Sequence, residues 1–419
     1  MDPCRSGKGP LGCDKDPYRG WQTGDPWNAI VQVVASQGAP RVGVLSGWAV
    51  AVKDLIDVAG LPTRCGSAVL ADAAPAQHDA AVVAGLRAAG AVVVAKTHTH
   101  EFAYGPTGDV AAEGPCRNPH DPQRITGGSS SGSAAAVAAG LVPLAVGTDT
   151  GCSTRTPAAL CGVVGLKPAH GVLPTTGVFP LSETLDHIGL LGADINTVAV
   201  AFSALTGHRI DPAAPVEGIV VGRPTDSYWR VHDPEITAAV DRAAAALGSA
   251  GAILRDVELP GIEEFAATYY VIVGAEAYAT HARWLSQRPG DYQPATAARL
   301  QAAARHTAAD YVGAQRTRRR LATELTGRLR TGGIDLLLLP TTPLRATPIG
   351  AEQVQVSDGT QVAVRPALLS LALPFNLLGW PAVSVPAPGV IGLPAGIQVA
   401  AVQGGEQAVL AAGARIAAG

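Results

Sequence analysis

One large α/β domain, with a central mixed, mostly parallel β-sheet covered by helices on both faces, is the fold that this chain predicts. Three observations carry the prediction. Apolar residues make up 47% of the 419 positions and charged residues 16%, so a large core can be buried and little of the chain reads as disordered. Aromatic residues are scarce at 5% while alanine is abundant, which suits helices packed closely on a sheet. Strand-like and helix-like patterns alternate along the chain, with no fixed-period repeat and no clear linker.

Taken in order, residues 1–25 are rich in Gly, Pro and Asp without periodicity and read as a loosely held arm; 26–419 read as the domain. The segment 47–53 is strand-like. Asp79 is placed to cap a helix running through Leu86 and closed by Gly90, and 91–95 reads as a buried strand. A polar, loop-rich stretch reaches Arg124. A Gly/Ser run at 127–133 then opens into a small-residue helix at 133–140, and 144–147 is another short buried strand. Farther on, helices are expected at 195–206, 235–250 and 262–285, with a long Ala/Arg helical region at 295–331. Strands are expected at 218–222, 334–340, 382–386 and 396–401, and an amphipathic helix at 405–418 closes the chain.

Bulk chemistry excludes several function classes. A net charge of −3 leaves no electrostatic footprint for nucleic acid or an anionic membrane. The most apolar stretch, 133–147, is cut by Gly140 and Pro143 and is too short to span a bilayer. Cys4, Cys13, Cys65, Cys116, Cys152 and Cys161 contain no C-x-x-C pair and make no disulfide framework. The opening M-D-P-C-R-S-G-K-G-P lacks the apolar core of a signal peptide, so a reducing, cytoplasmic setting is expected. The ten histidines show no H-E-x-x-H or other metal spacing, and neither metal nor cofactor is expected.

Lysine usage is more informative. Of 31 basic residues only Lys8, Lys15, Lys53, Lys96 and Lys167 are lysines. A lysine within an apolar strand pattern asks for a reason, because a buried lysine can give up its proton at neutral pH and an arginine cannot.

Three segments carry chemistry. I-T-G-G-S-S-S-G-S-A-A-A at 125–136 resembles a flexible linker, yet it opens directly into a helix, whose N-terminus suits developing negative charge. It also contains G-x-S-x-G at 128–132, which would make Ser130 a nucleophile on a strand-to-helix elbow; no hydrophobic strand precedes it, so that reading ranks second. In G-T-D-T-G-C-S-T-R-T-P-A-A at 147–159, Ser153 sits beside glycines, with Asp149 and Arg155 around the turn. An ordinary turn with a surface Asp–Arg pair is the plain alternative; an oxyanion hole from the N–H groups at 150–153 is the functional one. Lys53, in its apolar strand, is the third element, unless it merely snorkels from an edge strand.

Together these stretches resemble the amidase signature family. The resemblance rests on A-V-K-D at 51–54, A-K-T at 95–97, E-F-A-Y-G at 101–105, R-N-P at 117–119, G-G-S-S-S-G-S at 127–133 and G-T-D-T-G-C-S-T-R-T-P-A at 147–158. It continues through C-G-V-V-G-L-K-P at 161–168, G-V-F-P at 177–180 and L-D-H-I-G at 185–189, then more thinly through 339–343, 374–386 and 392–398. It implies an amidohydrolase that cleaves a non-peptide carboxylic amide through an acyl-enzyme on Ser153, with Ser129 as a bridging serine after a cis Gly128–Ser129 peptide and Lys53 as base. Ser130 is displaced from the nucleophile role and is expected to hydrogen-bond Lys53. The oxyanion hole and substrate surface are assigned to Thr150, Gly151, Cys152, Tyr104 and Ser130. Ser131 and Cys152 stand where the family more often has glycine; a side chain at 152 keeps the N–H but is costly if φ is positive there. The expected partner is a small-molecule amide, with a homodimer possible in principle. The same triad also serves carbamate and ester hydrolases and the A subunits of glutamine-hydrolysing amidotransferases. His98, His100 and His187 read as packed or substrate-facing residues.

Overall fold

The computed structural model describes residues 24–34, 42–231, 233–259, 261–402 and 404–419. The arm expected at 1–25 therefore lies almost wholly outside the described residues, as do Cys4, Cys13, Lys8 and Lys15. Among the described residues, the first strands are β1 Ile30–Val33, β2 Ala49–Lys53, β3 Val92–Thr97, β4 Arg117–Asn118, β5 Asp121–Ile125, β6 Leu144–Asp149, β7 Val164–Lys167 and β8 His187–Gly192. There follow β9 Val220–Pro224, β10 Ile253–Val257, β11 Leu336–Pro340, β12 Gln353–Gln355, β13 Gln361–Ala363, β14 Ala382–Pro386 and β15 Gly396–Ala401. The helices are α1 Ala81–Ala88, α2 Ser131–Ala138, α3 Arg155–Cys161, α4 Ile195–Thr206, α5 Pro234–Ser249 and α6 Glu263–Gln287. They continue with α7 Pro294–Ala303, α8 Ala308–Thr331, α9 Val364–Ser370, α10 Leu373–Leu377 and α11 Glu406–Ala418.

Eleven strands make one sheet in the order β1-β3-β2-β6-β8-β7-β14-β15-β11-β9-β10, while β4–β5 and β12–β13 are separate hairpins. The sheet is mixed, as expected. Parallel pairing holds in the two flanks, β3–β2–β6 and β11–β9–β10. There α1 carries the chain from β2 to β3 and α5 from β9 to β10, the crossovers that parallel neighbours need. The other six pairs, most of them at the centre, are antiparallel. The segments 168–186 and 387–395 hold no helix to return the chain, so β8 and β15 each run back beside the strand before them.

Side-chain alternation splits the core into two layers. Val50, Val52, Leu144, Val146, Leu336 and Leu338 join one cluster with residues of α1, α4, α5 and α11. On the opposite face Ala51 and Ala145 pack with α2 and α3, while Leu337 and Leu339 pack with α6 and α8. Helices therefore cover both faces. Ala51 faces the small-residue helix α2, and Lys53, two positions on, keeps that face. Alanine and glycine in α2 let the helix lie close enough for its first turn to meet the end of β2.

Several boundaries moved for local reasons. Asp79 does not cap α1: it accepts from the Ala59 N–H at 2.8 Å and pairs with Arg87 at 3.0 Å, while Ala80 holds the cap position. The 295–331 region divides because Thr307 and Asp310 form a capping box that starts α8 afresh. β7, β8, α3, α9 and α10 were not anticipated as elements; they are short and buried, with no period to read. No helix among the described residues is long and apolar enough to cross a membrane.

Candidate active site

Lys53, Lys96 and Lys167 all lie at strand ends and are all fully buried. Their partners tell them apart. Lys96 Nζ sits 2.8 Å from Asp54 Oδ1 and donates to the Ile56 carbonyl at 2.9 Å. Lys167 donates to the carbonyls of Trp380 and Pro168. Lys53 Nζ instead meets two hydroxyls, Ser129 Oγ at 2.7 Å and Thr148 Oγ1 at 2.8 Å. Burial lowers its pKa to about 7, against the opposing pull of Asp149 and Asp186. It is no snorkelling edge lysine, since β2 lies between β3 and β6.

The Gly/Ser run is a close-packed turn and no linker. A Cβ on Gly132 would stand 2.2 Å from the Ala29 carbonyl oxygen and 2.4 Å from His98 N. Gly127 takes φ of +75°, and a Cβ on Gly128 would lie 2.7 Å from Gly108 N. The Gly128–Ser129 peptide is cis, as the resemblance implied. Ser129 then presents its Oγ to Lys53. Ser130 does not hydrogen-bond Lys53, which corrects the expectation. Its hydroxyl donates to the Thr148 carbonyl at 3.1 Å and accepts from Thr148 N–H at 3.2 Å. Fully buried over Gly147, it braces the strand carrying Thr148. The start of α2 is also occupied: Ser130 N–H donates to the Ser153 carbonyl at 3.1 Å and Gly132 N–H to His98 O at 3.1 Å. Among the described residues no hydrogen bond joins the Ser129 and Ser153 hydroxyls, and their segments meet through that Ser130–Ser153 main-chain bond.

The turn from β6 into α3 is held from inside. Asp149 and Arg155 are both fully buried, not a surface pair. Arg155 Nη2 and Nε donate to Asp149 Oδ1 at 3.0 Å and Oδ2 at 3.1 Å. Asp149 Oδ2 also accepts from Thr154 N–H at 3.0 Å. Arg155 reaches on to the Ala372 carbonyl at 2.9 Å, Gln398 Oε1 at 2.6 Å and Asn376 Oδ1, and the Asn376 amide returns to the Asp149 carbonyl at 2.8 Å. Burial alone would raise the Asp149 pKa, but the Arg155 guanidinium outweighs it and holds the carboxyl well below the usual range. The Thr150 hydroxyl donates to Asp186 Oδ1 at 2.6 Å; burial lifts the Asp186 pKa to about 6.

Between these anchors, the N–H groups of Thr150, Gly151, Cys152 and Ser153 donate to no protein acceptor among the described residues. Cys152 has no positive φ, so a side chain there is tolerated. Its thiol is fully buried, 3.9 Å from the Gly128 carbonyl, and burial raises its pKa to about 12, leaving it protonated. Ser153 is 4% exposed. Tyr269, from α6, covers the turn: a Cβ on Gly151 would meet its hydroxyl at 2.4 Å.

The other expected residues fall around this centre. Tyr104 is nearly buried, with the Arg299 guanidinium carbon 5.4 Å from its ring centroid. His98 bridges Ser131 Oγ and the Gly114 carbonyl, both at 2.8 Å, and burial lowers its pKa to about 4. The His187 Nδ1–H donates to the Leu185 carbonyl at 2.7 Å. His98 and His187 are packed residues; His100 touches Arg299 Nη2 at 3.4 Å. Thr148, Asp186, Tyr269, Asn376 and Gln398 were not singled out as site residues. Thr148, Asp186, Asn376 and Gln398 lie in stretches that carry the resemblance, whereas Tyr269 lies in none of them. Among the described residues no three His, Cys, Asp or Glu side chains gather as a metal site.

Comparison with known proteins identifies the family. The Amidase family model matches residues 32–410. The chain is 38% identical over 386 residues to AtzE, a 1-carboxybiuret hydrolase subunit from Pseudomonas sp. (strain ADP), covering 88% of this chain and 83% of that one. It is 38% identical over 400 residues to the A subunit of the glutamyl-tRNA(Gln) amidotransferase of Symbiobacterium thermophilum, covering 86% and 80%. Among solved structures, one described as a crystal structure of amidase superposes with a TM-score of 0.86 at 36% identity, covering 95% of this chain and 93% of that one. With a lysine, two serine-bearing turns and a family match spanning nearly all of the domain, this chain belongs to the amidase family, hydrolases acting on amide C–N bonds.

Proposed function

We propose that this enzyme hydrolyses a small-molecule, non-peptide carboxylic amide through an acyl-enzyme on Ser153, with Ser129 and Lys53 as its proton relay. The observation that carries the reading is the contact of buried Lys53 Nζ with Ser129 Oγ at 2.7 Å, with no carboxylate paired to the lysine. Neutral Lys53 takes the Ser129 proton as Ser129 takes that of Ser153, and Ser153 Oγ bonds to the acyl carbon. The oxyanion rests on main-chain N–H groups within 150–153. Collapse breaks the C–N bond; the departing amine receives a proton from Ser129, which recovers one from the Lys53 ammonium. Water then cleaves the ester by the same relay, releasing the acid. Tyr104 contributes to the substrate wall. No cofactor enters these steps.

The test is a panel of aryl amides, primary amides, carbamates and esters assayed with wild type and Lys53→Ala. Loss of amide turnover with ester turnover retained supports a base that matters most for protonating an amine. Equal loss on both, or none on either, contradicts it. A second reading, the A subunit of a glutamine-hydrolysing amidotransferase, is favoured by the 38% identity to such a protein; co-purifying partner proteins and glutamine-dependent ammonia release are its signs. A carbamate or ester hydrolase on the same triad is the panel's remaining outcome. A cytoplasmic protein that binds neither nucleic acid nor membrane, with 26–419 as the catalytic domain, 1–25 as an arm and homodimer as assembly, completes the proposal.

A further inference from the structure

One carboxylate beside the nucleophile turn is buried without a cation. Asp186 is 7% exposed and forms no ion pair among the described residues, whereas Asp149, at the end of β6, is matched by Arg155. Three donors hold Asp186 instead: Leu181 N–H at 3.0 Å and Ser182 N–H at 3.1 Å on Oδ2, and the Thr150 hydroxyl at 2.6 Å on Oδ1. A buried carboxylate persists only where such donors replace its water. Two of the three belong to its own turn. The third reaches back 36 positions, to the first residue of the stretch 150–153 whose N–H groups have no protein acceptor.

The peptide that carries the Thr150 N–H is held from both sides. Its carbonyl, that of Asp149, accepts from Asn376 Nδ2 at 2.8 Å, and a trans peptide directs its N–H the opposite way. On that other side, Asp186 holds the Thr150 side chain. Asp186 is itself clamped from α6. Glu276 Oε2 accepts from Ser182 Oγ at 2.6 Å and Thr184 N–H at 3.1 Å, and its Oε1 from Thr184 Oγ1 and Tyr311 OH, both at 2.7 Å. Tyr269, about two helical turns before Glu276 and so on the same face of α6, covers Gly151. One helix thus fixes the nucleophile turn at two points: Tyr269 over Gly151, and Glu276 through the 182–186 turn to Thr150. Asp186 also reaches the base, since its negative charge raises the Lys53 pKa against the effect of burial.

Resting on the reading of Ser153 as nucleophile, we infer that Asp186 is a positioning residue for amide hydrolysis, aiming the Thr150 N–H at the oxyanion through the Thr150 hydroxyl. It touches no substrate and passes no proton. The carboxylate is the form that does this, because all three of its partners donate to it. A neutral acid protonated at Oδ1 would have to donate to Thr150 Oγ1 and turn that hydroxyl round.

The test measures amide kcat and KM for Asp186→Asn, Thr150→Val and Thr150→Ser, with kcat taken per site that a fluorophosphonate labels at completion. Asp186→Asn and Thr150→Val are expected to lose about 10²-fold in kcat, the scale of one oxyanion-hole donor, with KM changed only a few-fold. Thr150→Ser, which restores the hydroxyl, is expected to keep most of the rate. In Asp186→Asn the rise of kcat/KM with pH is expected to move below about pH 7, because the charge that holds the Lys53 pKa up is gone. A carboxylate that only staples its own turn lowers heat stability and leaves kcat per labelled site unchanged. That result, a loss confined to KM, or Thr150→Ser as slow as Thr150→Val overturns this inference alone. Failure to label Ser153 overturns the nucleophile reading and this inference with it.

Discussion

Lys53 Nζ stands 2.7 Å from Ser129 Oγ, whereas Lys96, on the neighbouring strand, stands 2.8 Å from Asp54 Oδ1. Both lysines are fully buried, but one faces hydroxyls and the other a carboxylate. A buried ammonium without a counter-ion gives up its proton readily. That difference in partners is why Lys53, and not Lys96, is proposed as the base.

The sign of the pH dependence follows. Burial holds the Lys53 pKa down to about 7, so the neutral, proton-accepting form grows as pH rises through that value. Amide kcat/KM is expected to climb through about pH 7 and level off above it. Lys53→Ala is expected to remove this limb and lower turnover by about 10²- to 10⁴-fold. A pH–rate profile in both proteins checks this.

Arg155 is expected to matter for folding before it matters for rate. Replacing it with leucine leaves the Asp149 carboxylate buried and uncompensated, at a cost of about 3–5 kcal/mol. Asp149→Asn added to Arg155→Leu is expected to recover part of that loss. Urea unfolding of the single and double variants measures both.

Glycines at close approaches should respond differently from glycines in open space. Gly132→Ala forces a Cβ against the Ala29 carbonyl and is expected to destabilise the protein by at least about 1–3 kcal/mol. Gly313→Ala in α8, with nothing within 4 Å, is expected to stabilise by about 0.5–1 kcal/mol. Thermal melts of the two variants give opposite signs.

In the proposed mechanism Cys152 contributes only its N–H, and its thiol takes no part. Cys152→Ala is expected to keep amide turnover within a few-fold, and wild type is expected to resist iodoacetamide, because the thiol is buried with a pKa of about 12. Activity measured after alkylation tests it.

Much of the centre was legible because it is local. Ser129, Ser153 and Lys53 sit in short strings whose residue order reports their surroundings, and helix 195–206 is bounded by Asp194 and Gly207 as capping chemistry dictates. What escaped is long-range. Arg155 reads as a surface charge until Ala372, Asn376 and Gln398, over 200 positions away, close around it. The hydrogen bond expected from Ser130 to Lys53 goes to Thr148 instead, because Gly147, whose missing side chain admits the hydroxyl, decides its partner. The antiparallel centre of the sheet depends on β7 and β8, too short to show a period.

The proposal that Ser153 is the nucleophile is tested by labelling with a fluorophosphonate followed by peptide mapping. A single adduct is expected on Ser153, absent in Ser153→Ala and formed much more slowly in Lys53→Ala. An adduct on Ser129 or Ser130, or labelling that persists in Ser153→Ala, would contradict it.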